Sequence, residues 1–168
     1  EAVPDIPGLE YLPNFISVDE ERALIKAIDG QPWLNDLKRR VQHYGYKYDY
    51  KARAVSADAY LGPLPDWLQP LSQKLKSENY FHHKPDQAIV NEYMPGQGIA
   101  PHIDCEPCFD DTIASLTLGS AAMMQFTHPN TKERQEMYLK ERSLVVLSGP
   151  ARYEWQHGIP ARKSDTVD

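Results

Sequence analysis

In the second half of the chain, short apolar runs alternate with turn-forming residues. Each run has the length of a β-strand, and glycine, proline, asparagine or charged residues separate one run from the next. The runs cover residues 112–118, 121–127, 136–139, 143–148 and 153–157. Short strands at even spacing are typical of sandwiches and jelly rolls, so the pattern predicts a β-structure of two sheets.

The first half of the chain shows helical periodicity instead. Ser17 and Glu20 form a capping-box pattern, which predicts a helix that begins there and ends near Asp29-Gly30. A second helix is predicted over residues 66–79, with Pro70 in its first turn. Helices followed by strands indicate an α+β protein, and we predict a double-stranded β-helix (jelly roll) braced by the N-terminal helices.

Residues 88–109, with the sequence AIVNEYMPGQGIAPHIDCEPCF, link the two halves. Two runs with strand character, 88–94 and 98–104, flank PGQG, which predicts a β-hairpin. Because side chains alternate between the two faces of a strand, His102 and Asp104 should point the same way. An imidazole and a carboxylate on one face supply two ligands of a 2-His-1-carboxylate site for non-haem Fe(II).

Two histidines could supply the third ligand. His128 lies in a polar turn, HPNTKER, whereas His157 ends the last predicted strand, directly before Gly158. His157 also shares a strand face with Trp155. We therefore predict that His157 completes the site.

A segment rich in tyrosine and in basic residues precedes the second helix. Its tyrosines recur with period two and should share one face of a strand over residues 39–51: Tyr44, Tyr46, Tyr48 and Tyr50. The window 33–53 holds six basic and two acidic residues, a net charge of +4, although the whole chain carries −6. Aromatic rings stack on bases while cations bind phosphates, so this segment is a candidate nucleic-acid contact. Alternatively, most of the tyrosines pack over the core with their hydroxyls at the surface.

Composition sets the general class of the protein. The 168 residues, 41% of them apolar, are enough for one globular domain with a core. The first residues have no basic start and no apolar run, and no stretch of about 18 apolar residues occurs, so we expect a cytoplasmic monomer without a signal peptide or membrane span. Cys105 and Cys108 form a lone C-x2-C pair. We predict free thiols, with a redox or metal role as the alternative.

Five motifs follow one another in a fixed order: N-x-Y, PGQG, H-x-D, SL-x-LGS and R-Y-x-W-x-HGI. They lie in the segments NEYMPGQGIAPHIDCEPCFDDTIASLTLGS and RSLVVLSGPARYEWQHGIPARKSDT. In this combination the chain, from about residue 38 to its end, resembles the AlkB family of Fe(II)- and 2-oxoglutarate-dependent dioxygenases. It looks most similar to bacterial AlkB proteins related to the animal tRNA-modifying AlkB homologue.

The resemblance implies an enzyme that uses Fe(II), 2-oxoglutarate and O2. It implies that His102, Asp104 and His157 bind the iron and that Asn91 and Tyr93 help to hold 2-oxoglutarate. The implied reaction is oxidative demethylation of bases of the 1-methyladenine and 3-methylcytosine type in alkylated DNA or RNA. Two alternatives remain open: hydroxylation of a modified wobble uridine in tRNA, and a catalytically silent jelly-roll module that only binds.

Five residues are candidates for substrate contact. Glu106 lies two residues beyond Asp104, so it would face the same pocket if the strand continues. A carboxylate there would attract a cationic methylated base; the alternative is that Glu106 is a solvated loop residue. The tyrosine-rich segment supplies the others, which are Arg39, Arg40, Tyr44 and Tyr46.

The end of the chain departs from the family pattern. AlkB proteins grip the far carboxylate of 2-oxoglutarate with arginines on a further strand. After His157 the only basic residues are Arg162 and Lys163, and neither has the family's spacing. We expect that C-terminal strands are missing from this sequence rather than that cosubstrate binding is impaired, since a bidentate arginine is hard to replace for a carboxylate.

Overall fold

A computed structural model describes residues 3–160, except 36, 38, 50, 51, 56, 95 and 107. The strands are β1 (Leu9–Leu12), β2 (Arg40–Tyr44), β3 (Ala88–Glu92), β4 (Ile99–His102), β5 (Ile113–Leu116), β6 (Ala122–Thr127), β7 (Arg134–Leu139), β8 (Leu144–Leu147) and β9 (Gln156–Ile159). The helices are α1 (Val18–Asp29), α2 (Gln69–Ser77) and α3 (Gly149–Tyr153), with a 3-10 turn at Ala57–Ala59. The chain divides into two compact units, one of Glu1–Ile25 with Tyr93–Asp168 and one of Lys26–Glu92.

The first unit contains two antiparallel sheets, with strand orders β1-β8-β5 and β4-β9-β6-β7. Its core draws on both sheets. Phe126 from β6 and Met137 from β7 pack in one cluster with Val145 from β8, and all three are almost fully buried. The same cluster includes Trp155, close to the start of β9. Two sheets around a shared apolar core give the layered β-structure that the strand pattern predicts.

The second unit contains the antiparallel pair β2–β3 and helix α2. The register places Arg40 opposite Glu92 and Tyr44 opposite Ala88. Gln42 on β2 is buried, and its side-chain amide donates hydrogen bonds to the carbonyl oxygens of Ile28 and Gln31. These bonds satisfy a polar group that would otherwise be costly to bury.

The first predicted helix is confirmed, since α1 begins at Val18 and ends at Asp29. Its capping box forms as expected: the Ser17 amide donates to Glu20 Oε1 at 2.8 Å, and the Glu20 amide donates to Ser17 Oγ at 3.1 Å. The second predicted helix exists as α2 but is shorter, because residues 66–68 form a turn before it. Pro70 lies in its first turn, where a missing amide donor is tolerated.

The predicted hairpin is wrong. A turn does form, with the Gln97 amide donating to the Met94 carbonyl, but β3 and β4 do not pair with each other. β3 pairs with β2, and β4 pairs with β9. The choice of strand partner depends on distant segments, which the local pattern of two runs around PGQG cannot specify.

Two further strand predictions fail in detail. The tyrosine-rich strand ends at Tyr44, because Gly45 takes a φ of +83° and turns the chain; a Cβ at Gly45 would lie 1.9 Å from the Asp86 carbonyl oxygen. Tyr46 only bridges Tyr60, and Tyr50 lies outside the described residues. The predicted strand at 153–157 begins later, because Tyr153 ends α3 and β9 starts at Gln156. Strand β1, which pairs with β8, was not predicted.

The prediction of free thiols is also wrong, because Cys105 and Cys108 form a disulfide. The Cys108 and Phe109 amides both donate to the Cys105 carbonyl, so the chain turns tightly between the two cysteines. This turn brings their Cα atoms to 5.2 Å, within the range that a disulfide spans. Separately, no α-helix in the described part of the chain has the length and apolar character needed to cross a membrane.

Candidate metal centre

Strands β4 and β9 place two histidines side by side. His102 on β4 lies directly opposite His157 on β9, and their ring centroids are 4.6 Å apart. Gly158 allows this approach: a Cβ there would lie 2.6 Å from the Ile99 carbonyl oxygen and 2.9 Å from the Pro101 nitrogen. The glycine after His157 is therefore needed for β9 to pack tightly against β4.

Asp104 joins the two histidines from the segment that follows β4. Its Oδ1 is 3.3 Å from His102 Nε2, and its Oδ2 is 3.4 Å from His157 Nε2. One ligand atom from each of the three residues lies within 4.8 Å of the others, and all three side chains are half-buried. Strand alternation alone does not explain this, because β4 ends at His102.

The hydrogen-bonding environment leaves suitable lone pairs on the histidines. His102 Nδ1 is 2.8 Å from the Ala100 carbonyl, which can only accept, so Nδ1 carries the hydrogen and Nε2 has the lone pair in the neutral ring. Burial lowers the pKa of His157 to about 4; the attraction of Asp104 opposes this, and the charges of His102 and Arg152 reinforce it. His157 is therefore neutral at pH 7.

Asp104 is ionised at the same pH. Burial by itself would raise the pKa of this carboxyl group, but its interactions with His102, His157 and Arg152 outweigh that effect, and the net pKa is lowered. Two imidazole rings and one carboxylate form the donor set of a 2-His-1-carboxylate site, which suits Fe(II) and leaves coordination positions open. The residues present thus fit a non-haem iron.

His128, the other candidate ligand, has a different environment. Its Nδ1 accepts hydrogen bonds from the amides of Asn130 and Thr131, and its ring packs edge-on against Trp155 at 5.2 Å. It organises the turn between β6 and β7. The choice of His157 over His128 agrees with the observed cluster.

Sequence reasoning gave no role to Arg152, although the motif R-Y-x-W-x-HGI begins with it. The structure buries it almost completely, at 1% exposure, and its Nη1 donates to the main-chain carbonyl of Asp104 at 2.8 Å. Its position five residues before the candidate ligand His157 was visible in the sequence and pointed to a role near the site. Nothing in the sequence showed which carbonyl groups it would reach.

Asn91 and Tyr93, the residues predicted to contact 2-oxoglutarate, do not lie together on one strand. Asn91 is exposed on β3 and its Oδ1 accepts a hydrogen bond of 2.9 Å from Arg39 Nε. β3 ends at Glu92, so Tyr93 does not share a strand face with Asn91, and the two belong to different units. Their role toward 2-oxoglutarate stays a prediction, and Arg162 and Lys163 lie outside the described residues.

One arginine of the basic segment, Arg40, already forms an ion pair within the protein. Arg40 binds the carboxylate of Glu92 through Nε and, at 3.1 Å, through Nη2, and its guanidinium stacks over Trp33 at 4.3 Å. The pKa of Arg40 is raised, chiefly by the hydrogen bond to Glu92. Arg40 therefore ties β2 to β3, which leaves it less able to bind a phosphate.

The tyrosines divide into two kinds. The Tyr44 hydroxyl donates to Gln42 Oε1 at 2.6 Å and its ring packs edge-on against Trp67, so Tyr44 fits the packing alternative. Tyr46 instead packs against Tyr60 at 5.1 Å, and Tyr60 is 55% exposed. This second pair leaves an aromatic surface open to solvent.

The strand does not continue to Glu106, because β4 ends at His102. Strand alternation therefore does not turn Glu106 toward the same pocket as Asp104, and this part of the prediction is wrong. It lies exposed in the turn that the Cys105–Cys108 disulfide closes, two residues after Asp104. Its contact with a substrate base stays a prediction.

The metal centre and the double-sheet fold define a class of protein. The profile described as "2OG-Fe(II) oxygenase superfamily" matches residues 33–168. The chain belongs to the 2OG-Fe(II) oxygenases, and within them to the AlkB family. The predictions of a jelly-roll dioxygenase and of Fe(II), 2-oxoglutarate and O2 as its cofactors are confirmed at the level of this family.

The chain is similar to individual AlkB-family proteins along most of its length. The chain is 44% identical to mouse "tRNA (carboxymethyluridine(34)-5-O)-methyltransferase ALKBH8" over 99% of its own length but only 26% of that protein. It is 30% identical to zebrafish "Probable RNA/DNA demethylase ALKBH6" over 91% of the chain and 69% of the relative. The solved structure of OsALKBH1 covers the whole chain with a TM-score of 0.70 and 16% identity, which shows a shared fold. The chain thus spans about a quarter of the ALKBH8 protein that it matches.

Proposed function

We propose that the chain binds Fe(II) through His102, Asp104 and His157 and hydroxylates a carbon on a modified base in RNA, with a wobble uridine of tRNA as the preferred substrate. The observation that carries the proposal is the convergence of two imidazoles and one carboxylate, whose ligand atoms lie within 4.8 Å of one another. When bound, iron and 2-oxoglutarate supply the oxidation, which turns C–H into C–OH while O2 and 2-oxoglutarate become the new hydroxyl, succinate and CO2.

The chain's own residues define the geometry of that reaction. His102 and His157 would hold the metal from paired strands, because β4 and β9 pair directly, and Asp104 would hold it from the segment that follows β4. Three protein ligands would leave coordination positions open for the cosubstrate and O2. His157 is neutral and Asp104 ionised at pH 7, so neither must lose a proton before a metal binds.

The substrate preference is supported by the relatives. The name of the mouse relative specifies carboxymethyluridine at position 34 of tRNA. That name describes a methyl transfer, which is not an oxygenase reaction, so it informs us about the substrate and not about the chemistry. Hydroxylation of a carbon attached to C5 of uridine would give a stable alcohol.

Oxidative demethylation is the second candidate. The same hydroxylation at an N-methyl carbon gives a hemiaminal, which releases formaldehyde and restores the base. The demethylase name of the zebrafish relative and the exposed carboxylate of Glu106 near Asp104 favour this reading. A cationic methylated base would be attracted to that carboxylate.

The experiment compares three short RNAs that carry 5-carboxymethyluridine methyl ester at the wobble position, 1-methyladenine or 3-methylcytosine. Protein loaded with Fe(II) receives 2-oxoglutarate and O2, and mass spectrometry follows the RNA while succinate is quantified. We expect a gain of one oxygen on the uridine RNA, and Asp104→Ala should lose turnover at least about 100-fold while it stays folded. Full turnover by Asp104→Ala would refute the metal site, and metal binding without succinate would indicate a silent binding module.

Glu106 provides the test of the demethylase candidate. If demethylation is the activity, Glu106→Gln should lose about 10-fold or more on the two cationic bases and little on uridine, because only those bases carry a positive charge. Asp110→Asn is the matched control, since Asp110 is an exposed acid at the far end of the same segment. Equal effects of Glu106→Gln on all three RNAs would argue against a contact with a cationic base.

A further inference from the structure

Arg152 is a buried charge with an unusual set of partners. It lies on α3, and its guanidinium donates four hydrogen bonds to main-chain carbonyl oxygens. Nη1 reaches Asp104 at 2.8 Å, Nη2 reaches Cys105 at 3.3 Å and Phe109 at 3.5 Å, and Nε reaches Asp110 at 3.2 Å. Such a set of bonds offsets the cost of burying a guanidinium, which has donors only.

All four acceptors belong to one short stretch, residues 104–110, which we call the ligand loop. Arg152 contacts both of its ends, at Asp104 and Cys105 on one side and at Phe109 and Asp110 on the other. Between them the chain turns, with the Cys108 and Phe109 amides donating to the Cys105 carbonyl. One planar side chain thus bridges the two ends of the loop, and the Cys105–Cys108 disulfide closes the turn between them.

The ligand loop needs such an anchor because Asp104 lies outside regular structure. β4 ends at His102, and residues 103–105 have neither helical nor strand hydrogen bonding. His102 and His157, by contrast, are fixed by the pairing of β4 with β9. The hydrogen bond from Arg152 to the Asp104 carbonyl restrains the residue whose carboxylate lies between the two histidines.

We propose that Arg152 is a positioning residue for the metal centre: by binding the main chain at both ends of the ligand loop, it places the Asp104 carboxylate between His102 and His157. The proposal rests on the proposed function, in which these three side chains bind Fe(II). Lysine could not substitute, because an ammonium group has no planar fork that spans four carbonyl groups.

Electrostatics alone predicts the opposite effect, which makes the proposal testable. Arg152 carries a positive charge near Asp104 and His157. Removing that charge should by itself tighten the binding of a cation. Weaker metal binding after removal of Arg152 therefore indicates lost positioning.

The experiment measures metal affinity in the absence of 2-oxoglutarate and substrate, with Co(II) as the probe. Metal-free parent, Arg152→Met, Arg152→Lys, Asp104→Ala and Arg142→Met are titrated by calorimetry and by the visible absorption of bound Co(II), and circular dichroism monitors folding. Arg142→Met is the matched control, because Arg142, like Arg152, uses its guanidinium to hold a buried group, in its case the Glu21 carboxylate at 2.9 Å, and the described structure shows no contact between Arg142 and the ligand loop.

We expect the dissociation constant for Co(II) to rise about 10- to 100-fold in Arg152→Met and at least several-fold in Arg152→Lys. It should change less than about twofold in Arg142→Met, even if that variant loses stability.

Parent-like affinity in both Arg152 variants would overturn the proposal. If Arg152→Met does not fold, Arg152→Lys decides; if neither folds while Arg142→Met does, Arg152 is a folding residue and the positioning role is refuted. Parent-like binding by Asp104→Ala would instead overturn the proposed metal site itself.

Discussion

His157 shows how burial prepares a single side chain for a metal. Its side chain is 12% exposed, and its Nδ1 has no hydrogen-bond partner among the described residues. Burial therefore penalises the charged imidazolium, and the pKa of His157 is lowered to about 4 even though Asp104 lies beside it. The ring keeps a free lone pair at neutral pH.

The lowered pKa predicts acid sensitivity of the metal-free protein. Between pH 7 and pH 5 the unfolded chain protonates this histidine, whose ordinary pKa is 6.5, whereas the folded protein does not. The unfolded state then binds more protons, so the free energy of unfolding should fall by about 2 kcal/mol as the pH drops from 7 to 5. Asp104 adds nothing in this window, because its lowered pKa acts below 3.8.

Urea unfolding of metal-free protein at pH 7, 6 and 5 checks this expectation. His157→Gln is the control, because glutamine does not titrate. In this variant, the contribution of position 157 to the free energy of unfolding should not change with pH. The difference between parent and variant isolates the histidine from the rest of the chain. Parallel pH profiles for the two proteins would contradict the assignment.

Among the elements, helix α1 carries a buried acid, Glu21, that contacts two loops of the first unit. Glu21 is 7% exposed; its Oε2 accepts a hydrogen bond from the Gly119 amide at 2.8 Å, and its Oε1 pairs with Arg142 at 2.9 Å. The helix thus contacts the loops after β5 and β7 through a single carboxylate. Sequence periodicity predicted the helix but not this contact.

We expect Glu21→Ala to lower the free energy of unfolding by about 2–4 kcal/mol, because it leaves the Gly119 amide and the Arg142 guanidinium without their acceptor. Glu20→Ala, at the neighbouring position of the same helix, removes an exposed cap bond and should cost about 1 kcal/mol. Chemical denaturation of both variants measures the difference. Equal losses would mean that the buried pair adds nothing beyond helix capping.

At the scale of the whole molecule, charge is unevenly distributed. The chain carries −6, yet residues 33–53 carry +4. Within this window Arg40 is paired with Glu92, whereas Lys47 is exposed beside the aromatic pair of Tyr46 and Tyr60. Lys47 is therefore a better candidate for a phosphate contact than Arg40.

We predict that Lys47→Ala and Arg39→Ala each weaken binding of single-stranded RNA and reduce the slope of log K against log salt by about 0.7, the value for one lost phosphate contact. Arg134→Ala, an exposed arginine on β7, is the control and should leave the slope unchanged. Fluorescence anisotropy at 50–300 mM salt provides the measurement. If the salt slopes of Lys47→Ala and Arg39→Ala equal the slope of the parent, this segment is excluded as the phosphate contact.

Local sequence patterns predicted the features that depend on neighbouring residues. The capping box fixed the start of α1, and the spacing of His102 and Asp104 identified two of the three residues in the cluster. The prediction of the tyrosine-rich strand failed at Gly45, which has a positive φ and lies so close to the Asp86 carbonyl that no Cβ would fit. A period-two pattern contains no information about such a distant contact.

By itself, the sequence determined the double-sheet class, the family and the types of the three candidate ligands, because apolar periodicity and short motifs are set by residues close together in the chain. Only the tertiary structure decided which strands pair, that β4 joins β9 rather than β3, and that Cys105 meets Cys108 in a tight turn. It also decided that Arg152 binds the main chain of the ligand loop. The β4–β9 pairing and the Arg152 contacts join segments about fifty to sixty residues apart, and their meeting depends on the packing of the whole core rather than on any local preference.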